Sequence, residues 1–306
     1  MKADLPVLDL EGVSRRYGAV EAVRDVSFAL PQGARVALVG HNGAGKTTLM
    51  KLMLGLIRPS AGRLRVLGED PAAGAAAARR RLGWLPENVT FNPALTGREV
   101  LRFFARLKDE PASTADALLE RVGLADAARR RVGGYSKGMR QRLGIAQAML
   151  GSPRALLLDE PTTGLDPAVR QGLYDMLGEL AGGGTTVLLS SHALEELEGR
   201  VERVIIMDRG RLVADGTLAE LRRLAQLPVR ARLTLVGEGV PDWVGDGLAP
   251  RWLGANLLEL SCPPEAKMEF LRHAAADARV TDLDLTPPTL DELYAHFLRG
   301  REGAVR

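Results

Sequence analysis

The sequence predicts an α/β fold built on a parallel β-sheet that is covered by helices on both faces. The apolar segment 36–40 runs into a glycine-rich loop, and segment 46–57 then has the periodicity of a helix with one buried face. Two more continuous apolar runs, 156–158 and 186–190, have the length of strands and adjoin helical stretches. Strands that are apolar along their whole length are typical of parallel sheets buried on both sides, so these three runs predict the core of the sheet.

A helical insertion interrupts this α/β body. Between about residues 96 and 150 the strand signals give way to helical periodicity, which is clearest in segments 99–107, 114–122 and 139–150. We interpret the whole stretch 96–150 as a helical subdomain.

A second, smaller domain follows the α/β body. Residues 229–235 alternate between apolar and polar side chains, as in a half-buried strand, and segment 264–276 looks helical. Thr289 with Glu292 three positions later forms the pattern of a capping box at the start of a final helix. The predicted domains are therefore 1–227 and a small α+β domain at 228–306.

Composition excludes several classes of protein. The chain has 306 residues and a net charge of +3, and its short arginine runs are typical of solvated helix faces, so we expect no nucleic-acid partner. The single cysteine, Cys262, rules out an internal disulfide. No window approaches 18 consecutive apolar residues, and the first residues lack the apolar stretch of a signal peptide. We expect a cytoplasmic protein that reaches the membrane only through a partner.

The pattern G-x-x-x-x-G-K-[ST] at residues 40–47, hereafter the phosphate loop, is the clearest chemical signal. Its glycines let backbone N–H groups turn inward, and the following helix directs its positive end at a bound phosphate. Lys46 would neutralise the β- and γ-phosphates of ATP, and the Thr47 hydroxyl would hold Mg²⁺. The alternative is an ordinary glycine turn before a helix, but the strand–loop–helix context favours the nucleotide site.

Two acids and a histidine follow apolar strands elsewhere in the chain. Asp159 and Glu160 come directly after segment 156–158, at the sheet edge where ligands bind in open α/β folds. We expect Asp159 to position Mg²⁺ and Glu160 to act as the general base that polarises the attacking water, a role worth about 10²–10⁴ in rate. His192 follows the strand 186–190 and would hydrogen-bond the γ-phosphate and the water. Taken alone, a histidine at a strand end is more often structural; the other motifs favour the catalytic interpretation.

Two further segments complete the pattern. Residues 135–141, hereafter the signature segment, read Tyr-Ser-Lys-Gly-Met-Arg-Gln, and 164–166 forms a Gly-Leu-Asp turn after the acids. With these segments the chain resembles the nucleotide-binding subunits of ABC transporters over about residues 5–225. The resemblance implies a P-loop NTPase fold of the ABC ATPase type, with a parallel-sheet core, an antiparallel β subdomain and a helical insertion, and it implies ATP hydrolysis.

The resemblance also implies partners. Two copies would face each other head to tail as a homodimer, with each ATP between the phosphate loop of one and the signature segment of the other. The homodimer would act on an integral membrane permease at the inner face of the cell membrane. Ser136 and Gly138 would contact the partner's γ-phosphate, Tyr17 would stack on adenine, and Asp166 would communicate between the two sites. The ATP contacts expected within and beside the phosphate loop come from Asn42, Gly43, Ala44, Gly45, Lys46, Thr47 and Thr48.

The chain departs from the family pattern at two places. The signature segment has Lys137 and Met139 where the usual motif is Leu-Ser-Gly-Gly-Gln. Glu87 stands where many relatives have a glutamine that ligates Mg²⁺. We expect Glu87 to provide an oxygen ligand for Mg²⁺, as the glutamine does, and to add a negative charge. Both departures resemble the ABC-2-type, drug-exporter-like branch, and we interpret them as marks of lineage.

One segment suggests a particular client. Residues 82–93, Leu-Gly-Trp-Leu-Pro-Glu-Asn-Val-Thr-Phe-Asn-Pro, resemble the NosF-like branch, whose transporter supports maturation of the copper enzyme nitrous-oxide reductase. Residues 40–43 and 96–108 are similar to that branch as well. This resemblance implies a periplasmic maturation factor as an indirect partner, reached through the permease.

Other interpretations remain open on the sequence alone. One is the ATPase of an ABC-2-type drug, lipid or ion exporter, since motifs for ATP are silent on cargo. A more remote one is an ABC ATPase that acts on nucleic acid or ribosomes, although 55 residues of insertion are too few for a long coiled coil. A metal site formed by Cys262, His273 and His296 is disfavoured, because their spacing matches no compact ligand motif.

Overall fold

The computed structural model describes residues 5–74, 76–237 and 239–302 and divides into two compact units, Met1–Asp215 and Gly216–Arg306. The sequence places the domain boundary later, at 227/228. The difference arises because a helix at Leu218–Ala225 lies in the C-terminal unit. There the Arg222 guanidinium donates a hydrogen bond to the Pro288 carbonyl oxygen at 2.8 Å.

A six-stranded sheet forms the core of the first unit, in the spatial order β5-β6-β7-β3-β8-β9. The β3–β7, β3–β8, β5–β6 and β6–β7 pairs are all parallel, which confirms the predicted parallel core. Apart from β9, which has exposed and half-exposed positions, these strands are largely buried on both faces, as their apolar sequences require. Their bounds are β3 Arg35–Val39, β5 Leu82–Leu85, β6 Ala155–Leu158, β7 Thr186–Ser191, β8 Arg203–Asp208 and β9 Arg211–Gly216.

A three-stranded antiparallel sheet, in the order β2-β1-β4, forms the expected β subdomain. Its apolar residues join those of β3 and of the helix after the phosphate loop in one continuous core. The strands are β1 Leu8–Tyr17, β2 Val20–Leu30 and β4 Ala61–Val66.

Three helices of the first unit start at side-chain caps that the sequence supplies. Thr96 and Glu99 form a capping box, Ser136 accepts a hydrogen bond from Met139 N–H, and Asp166 caps the helix that follows it. The helices are α1 Lys46–Met53, α2 Ala76–Arg80, α3 Gly97–Leu107, α4 Ala112–Arg121, α5 Lys137–Met149 and α6 Pro167–Gly182. Helices α3, α4 and α5 pack on one another as the predicted helical subdomain.

The first helix is shorter than expected. The sequence predicts a helix over 46–57, whereas α1 ends at Met53. Gly55 adopts a left-handed conformation with φ 68°, which ends the helix by the usual C-terminal glycine mechanism.

The C-terminal unit is an α+β domain, as the sequence predicts. Its four-stranded antiparallel sheet has the order β11-β12-β10-β13. The side chains of Leu233, Leu258 and Phe270 lie in its buried core together with Cys262. The elements are α7 Leu218–Ala225, β10 Val229–Leu235, β11 Arg251–Trp252, β12 Leu257–Cys262, α8 Lys267–Ala276, β13 Val280–Thr286 and α9 Leu290–Glu302. Across the described ranges of both units, no helix combines the length and the apolar character needed to cross a membrane.

Candidate functional site

The phosphate loop lies between β3 and α1, at the carboxyl end of the central strand. Gly43 and Gly45 have φ angles of 87° and 103°, in the region that favours glycine. A Cβ at Gly45 would come within 2.5 Å of the Ala22 carbonyl oxygen, so the close approach of β2 also requires glycine there. The loop therefore places the start of α1, with its free backbone N–H groups, where a phosphate group would bind.

Lys46 is held beneath this loop and is only 7% exposed. Its ammonium donates to the carbonyl oxygens of Gly40 and His41. Burial lowers the pKa of Lys46, and the negative charges of Glu160, Asp159 and Glu87 oppose that shift. The ammonium is thus placed among three carboxylates, where it can also neutralise phosphate.

Asp159 and Glu160 follow β6 and are joined to both neighbouring elements. The Thr47 hydroxyl of α1 donates to Asp159 Oδ2 at 2.8 Å, and the Ser190 hydroxyl of β7 donates to Asp159 Oδ1 at 2.6 Å. Ser190 Oγ in turn accepts a hydrogen bond from Glu160 N–H at 2.9 Å. Glu160 has a left-handed backbone with φ 51°, and this hydrogen bond fixes that conformation. Ser190 thereby sets the geometry of both acids.

His192 and Glu160 form a direct pair. The distance from His192 Nδ1 to Glu160 Oε2 is 2.7 Å, while the histidine side chain remains 66% exposed. With a proton on Nδ1 the imidazole donates to the carboxylate and orients it. Glu160 itself is buried, and its side chain lines the cavity described below.

These residues surround one cavity of about 650 Å³, large enough for a nucleotide. It brings together most of the residues predicted from the sequence and adds Ala22 and His41. His41 Nε2 lies 2.9 Å from Asp208 Oδ1, which ties the phosphate loop to the end of β8. The cavity is lined by Ala22, His41, Asn42, Gly43, Ala44, Gly45, Lys46, Thr47, Thr48, Glu87, Asp159, Glu160 and His192.

The residues around Asp159 also fit a magnesium ion. Thr47 Oγ1 and Asp159 Oδ2 are adjacent oxygen donors beside the phosphate loop, and Glu87 offers a third oxygen at the rim. Within the described ranges, no group of three or more His, Cys, Asp and Glu side chains is arranged to hold a metal ion. A magnesium site would therefore combine a hydroxyl and carboxylates with the phosphate oxygens of the nucleotide.

Four predicted residues do not line this cavity: Tyr17, Ser136, Gly138 and Asp166. Tyr17, at the end of β1, is 45% exposed and has the Arg15 guanidinium 4.5 Å from its ring centroid. Ser136 caps α5 and Asp166 caps α6, accepting from Val169 N–H at 3.0 Å. The signature segment thus takes no part in the nucleotide cavity of its own subunit.

The signature segment is nevertheless attached to the loop that follows the acids. Gln141 is buried, and its side-chain amide donates to the Pro161 carbonyl oxygen at 3.1 Å. A Cβ at Gly138 would lie 3.1 Å from the Gly164 carbonyl oxygen, so the two backbones are in close contact. Neither Gln141 nor Ser190 is among the predicted site residues. In the sequence, Ser190 is a polar residue at the end of an apolar run, and Gln141 is the last residue of the signature segment, between two arginines.

Comparison with known proteins agrees with this geometry. The family model described as "ABC transporter" matches residues 23–163. The chain is 37% identical over 308 residues to the daunorubicin resistance ATP-binding protein DrrA3 of Streptomyces coeruleorubidus, with 95% of each chain covered. It is 39% identical over 220 residues to the Nod factor export ATP-binding protein I of Ralstonia nicotianae, covering 71% of this chain and 68% of the relative. A solved structure of an ATP-binding subunit of an ABC transporter has a TM-score of 0.67 and 33% identity, covering 71% of this chain and 92% of that one.

Proposed function

The chain belongs to the ABC transporter family of ATP-binding subunits, which are ATP hydrolases, and on that premise we propose that it energises export through a membrane permease. The observation that carries the proposal is the chain of contacts from Thr47 through Asp159 and Ser190 to Glu160 and His192. This chain joins a phosphate-binding loop to a buried carboxylate that is oriented by a histidine, which is the arrangement that hydrolysis of a nucleoside triphosphate needs.

Each residue of the site has a distinct role in the proposed reaction. The phosphate loop and Lys46 bind the phosphates and fix the position of the γ-phosphorus. Thr47 and Asp159, with Glu87, would hold Mg²⁺, which supplies charge neutralisation at the phosphate oxygens. Glu160 accepts a proton from the attacking water.

His192 acts next to the base. Its imidazole orients the Glu160 carboxylate through the 2.7 Å contact, and its second nitrogen would then be available to hydrogen-bond the γ-phosphate. A base and its orienting partner within hydrogen-bond reach are the usual signature of general-base catalysis.

We propose a head-to-tail homodimer as the working form. Ser136 and Gly138 lie outside their own nucleotide cavity, so the γ-phosphate they would contact is the one held by a second subunit. Ser136 caps the start of α5, and the positive end of that helix would face the partner's nucleotide. Asp166 would link the two sites, Tyr17 would contact adenine, and the dimer would sit peripherally on the inner face of the membrane.

The test of the mechanism is Glu160→Gln in the full chain. We expect the turnover number to fall by about 10²–10⁴ while ATP binding persists, because only the proton acceptor is lost. Phosphate release measures turnover, a fluorescent ATP analogue measures binding, and size-exclusion chromatography with ATP and Mg²⁺ shows whether a closed dimer accumulates.

Glu195→Gln is the control, since it removes an exposed carboxylate that follows β7, three residues after His192, and does not line the cavity. Its turnover should equal that of the wild type. Normal turnover by Glu160→Gln would remove Glu160 as the base.

We infer that the cargo is a small molecule of the kind named in the drug-resistance relative. Support comes from the extent of the DrrA3 match, which at 95% of each chain reaches into the C-terminal unit as well as the ATPase unit. The name of the second relative refers to export too. Maturation of nitrous-oxide reductase is the second candidate, and its support is the sequence resemblance of residues 40–43, 82–93 and 96–108.

The two clients are distinguished by co-purification. Tagged Glu160→Gln protein is recovered from native membranes with ATP and Mg²⁺, and the proteins that accompany it are identified. A permease alone supports the exporter, and a permease with a periplasmic maturation factor supports the copper-enzyme client. Ribosomes or DNA without a permease would contradict both.

A further inference from the structure

Two charged side chains near the proposed dimer site have no ion-pair partner within the described ranges. One is Glu87, an exposed carboxylate on the rim of the nucleotide cavity. The other is Lys137, the first residue of α5, which is also exposed. The second cation of the signature segment, Arg140, is tied back to the Tyr135 carbonyl oxygen at 2.6 Å.

The side chain of Lys137 is packed along a defined surface. Its methylene groups lie over Gly164, in the turn that follows the acids. A Cβ at Gly164 would come within 2.9 Å of Lys137 Cδ and 3.1 Å of Cε. Gly164 has φ 78°, a backbone conformation that favours glycine, and a Cβ there would also displace the lysine stem. The stem is thus held against the turn, and the ammonium is carried at its exposed end.

The cavity has an excess of negative charge. Glu87, Asp159 and Glu160 face one buried cation, Lys46. A nucleoside triphosphate adds further negative charge even with a divalent cation bound. Closing a second subunit over this site removes water, and burial of uncompensated charge is unfavourable. A cation delivered by the closing subunit would reduce that cost.

Building on the head-to-tail dimer proposed above, we propose that Lys137 supplies this cation and that its ammonium offsets the charge of the partner subunit's Glu87 across the nucleotide. Lys137 is then a specificity-determining contact for the triphosphate-bound state, because the attraction exists only when the two subunits close. Lys137 and Glu87 are both departures from the usual family pattern. In this arrangement the positive charge of one compensates the negative charge of the other.

The experiment is a double-mutant cycle on the full chain with Lys137→Met and Glu87→Gln. Methionine keeps the length and apolar character of the lysine stem and removes the charge. In the wild-type background, we expect Lys137→Met to raise the KM for MgATP about fivefold to tenfold. In the Glu87→Gln background, the same substitution should raise KM by less than about twofold. The effect should shrink at about 0.5 M salt, which screens exposed charges.

Two further variants separate charge from folding. Lys137→Arg retains the charge and should stay within about twofold of the wild-type KM. Lys267→Met, an exposed lysine in the C-terminal unit, should not change KM. An equal KM increase for Lys137→Met with and without Glu87→Gln would overturn the proposed pairing.

A dimerisation measurement distinguishes failure of this inference from failure of the dimer itself. Sedimentation of the Glu160→Gln protein with MgATP gives the dimer dissociation constant. If no dimer forms under any condition, the head-to-tail proposal fails and this inference fails with it. If the dimer forms and adding Lys137→Met leaves its dissociation constant unchanged, the head-to-tail proposal stands and the role of Lys137 is refuted.

Discussion

Replacing Ser190 by alanine tests the central geometric feature of the site. Ser190 lies on β7, beside the strand that carries the two acids, and is fully buried. Its hydroxyl donates to Asp159 Oδ1 at 2.6 Å and accepts from Glu160 N–H at 2.9 Å. Ser190→Ala removes both contacts and adds no bulk.

The expected cost follows from these two contacts. A hydrogen bond to an ionised carboxylate contributes about 1.5–3 kcal/mol, and a buried N–H left without an acceptor costs about 1–3 kcal/mol. Taking the lower half of each range, we expect the free energy of unfolding to fall by about 3 kcal/mol. Glu160 would also lose the contact that fixes its left-handed backbone at φ 51°. We therefore expect kcat to fall by about tenfold to a hundredfold, since small displacements of a catalytic group have effects of that size.

The assay combines urea unfolding with MgATP hydrolysis, expressed per folded molecule. Thr185→Val is the control, because it removes another buried hydroxyl, which donates to the Pro153 carbonyl oxygen at 2.8 Å and touches neither acid. It should lower stability by about 1 kcal/mol and leave kcat unchanged. If Ser190→Ala retained a wild-type kcat, the positioning role of the serine would be refuted, whatever happened to stability.

Two further changes concern the helical subdomain. Tyr135→Phe should lower the free energy of unfolding in urea by about 1–2 kcal/mol, because the buried Tyr135 hydroxyl donates to the Ala127 carbonyl oxygen at 2.7 Å. An unchanged free energy of unfolding would show that this hydrogen bond does not contribute to stability. Lys108 donates to the carbonyl oxygens of Leu82 and Leu150, and burial lowers its pKa to about 8. From pH about 8 to about 10.5 the unfolded chain keeps a proton that the folded chain has released. The free energy of unfolding, measured relative to that of Lys108→Met, should therefore rise with pH over this range, by at most about 3 kcal/mol. A difference that does not change with pH would contradict the lowered pKa.

The sequence predicts the parts of the site that depend on local pattern. The phosphate loop, the acids after β6 and His192 after β7 each follow an apolar strand, and parallel strands bring their carboxyl ends to one sheet edge. All of them line the cavity. The parallel order of β6, β7 and β3 is what converts these separate local signals into one site.

The sequence does not predict the contacts that depend on which strands are neighbours. Ser190 matters because β7 pairs with β6, which places its hydroxyl against two acids 30 or more positions away. In the sequence it is only a polar residue at the end of an apolar run. The direct pairing of His192 with Glu160 arises in the same way. The unit boundary also differs, because the packing of α7 within the C-terminal unit is a tertiary contact with no local signal.

The attachment of the signature segment offers a route by which the two nucleotide sites of the proposed dimer would act together. In the proposed dimer this segment serves the partner's ATP, yet within its own subunit Gln141 donates to Pro161 and Gly138 packs against Gly164. Pro161 directly follows Glu160, the proposed base for the subunit's own ATP. In the proposed dimer, a shift of α5 on contact with the partner's triphosphate would therefore move the loop that carries this base. In the proposed dimer, closure at one site would then reach the proposed catalytic carboxylate of the other through these two short contacts.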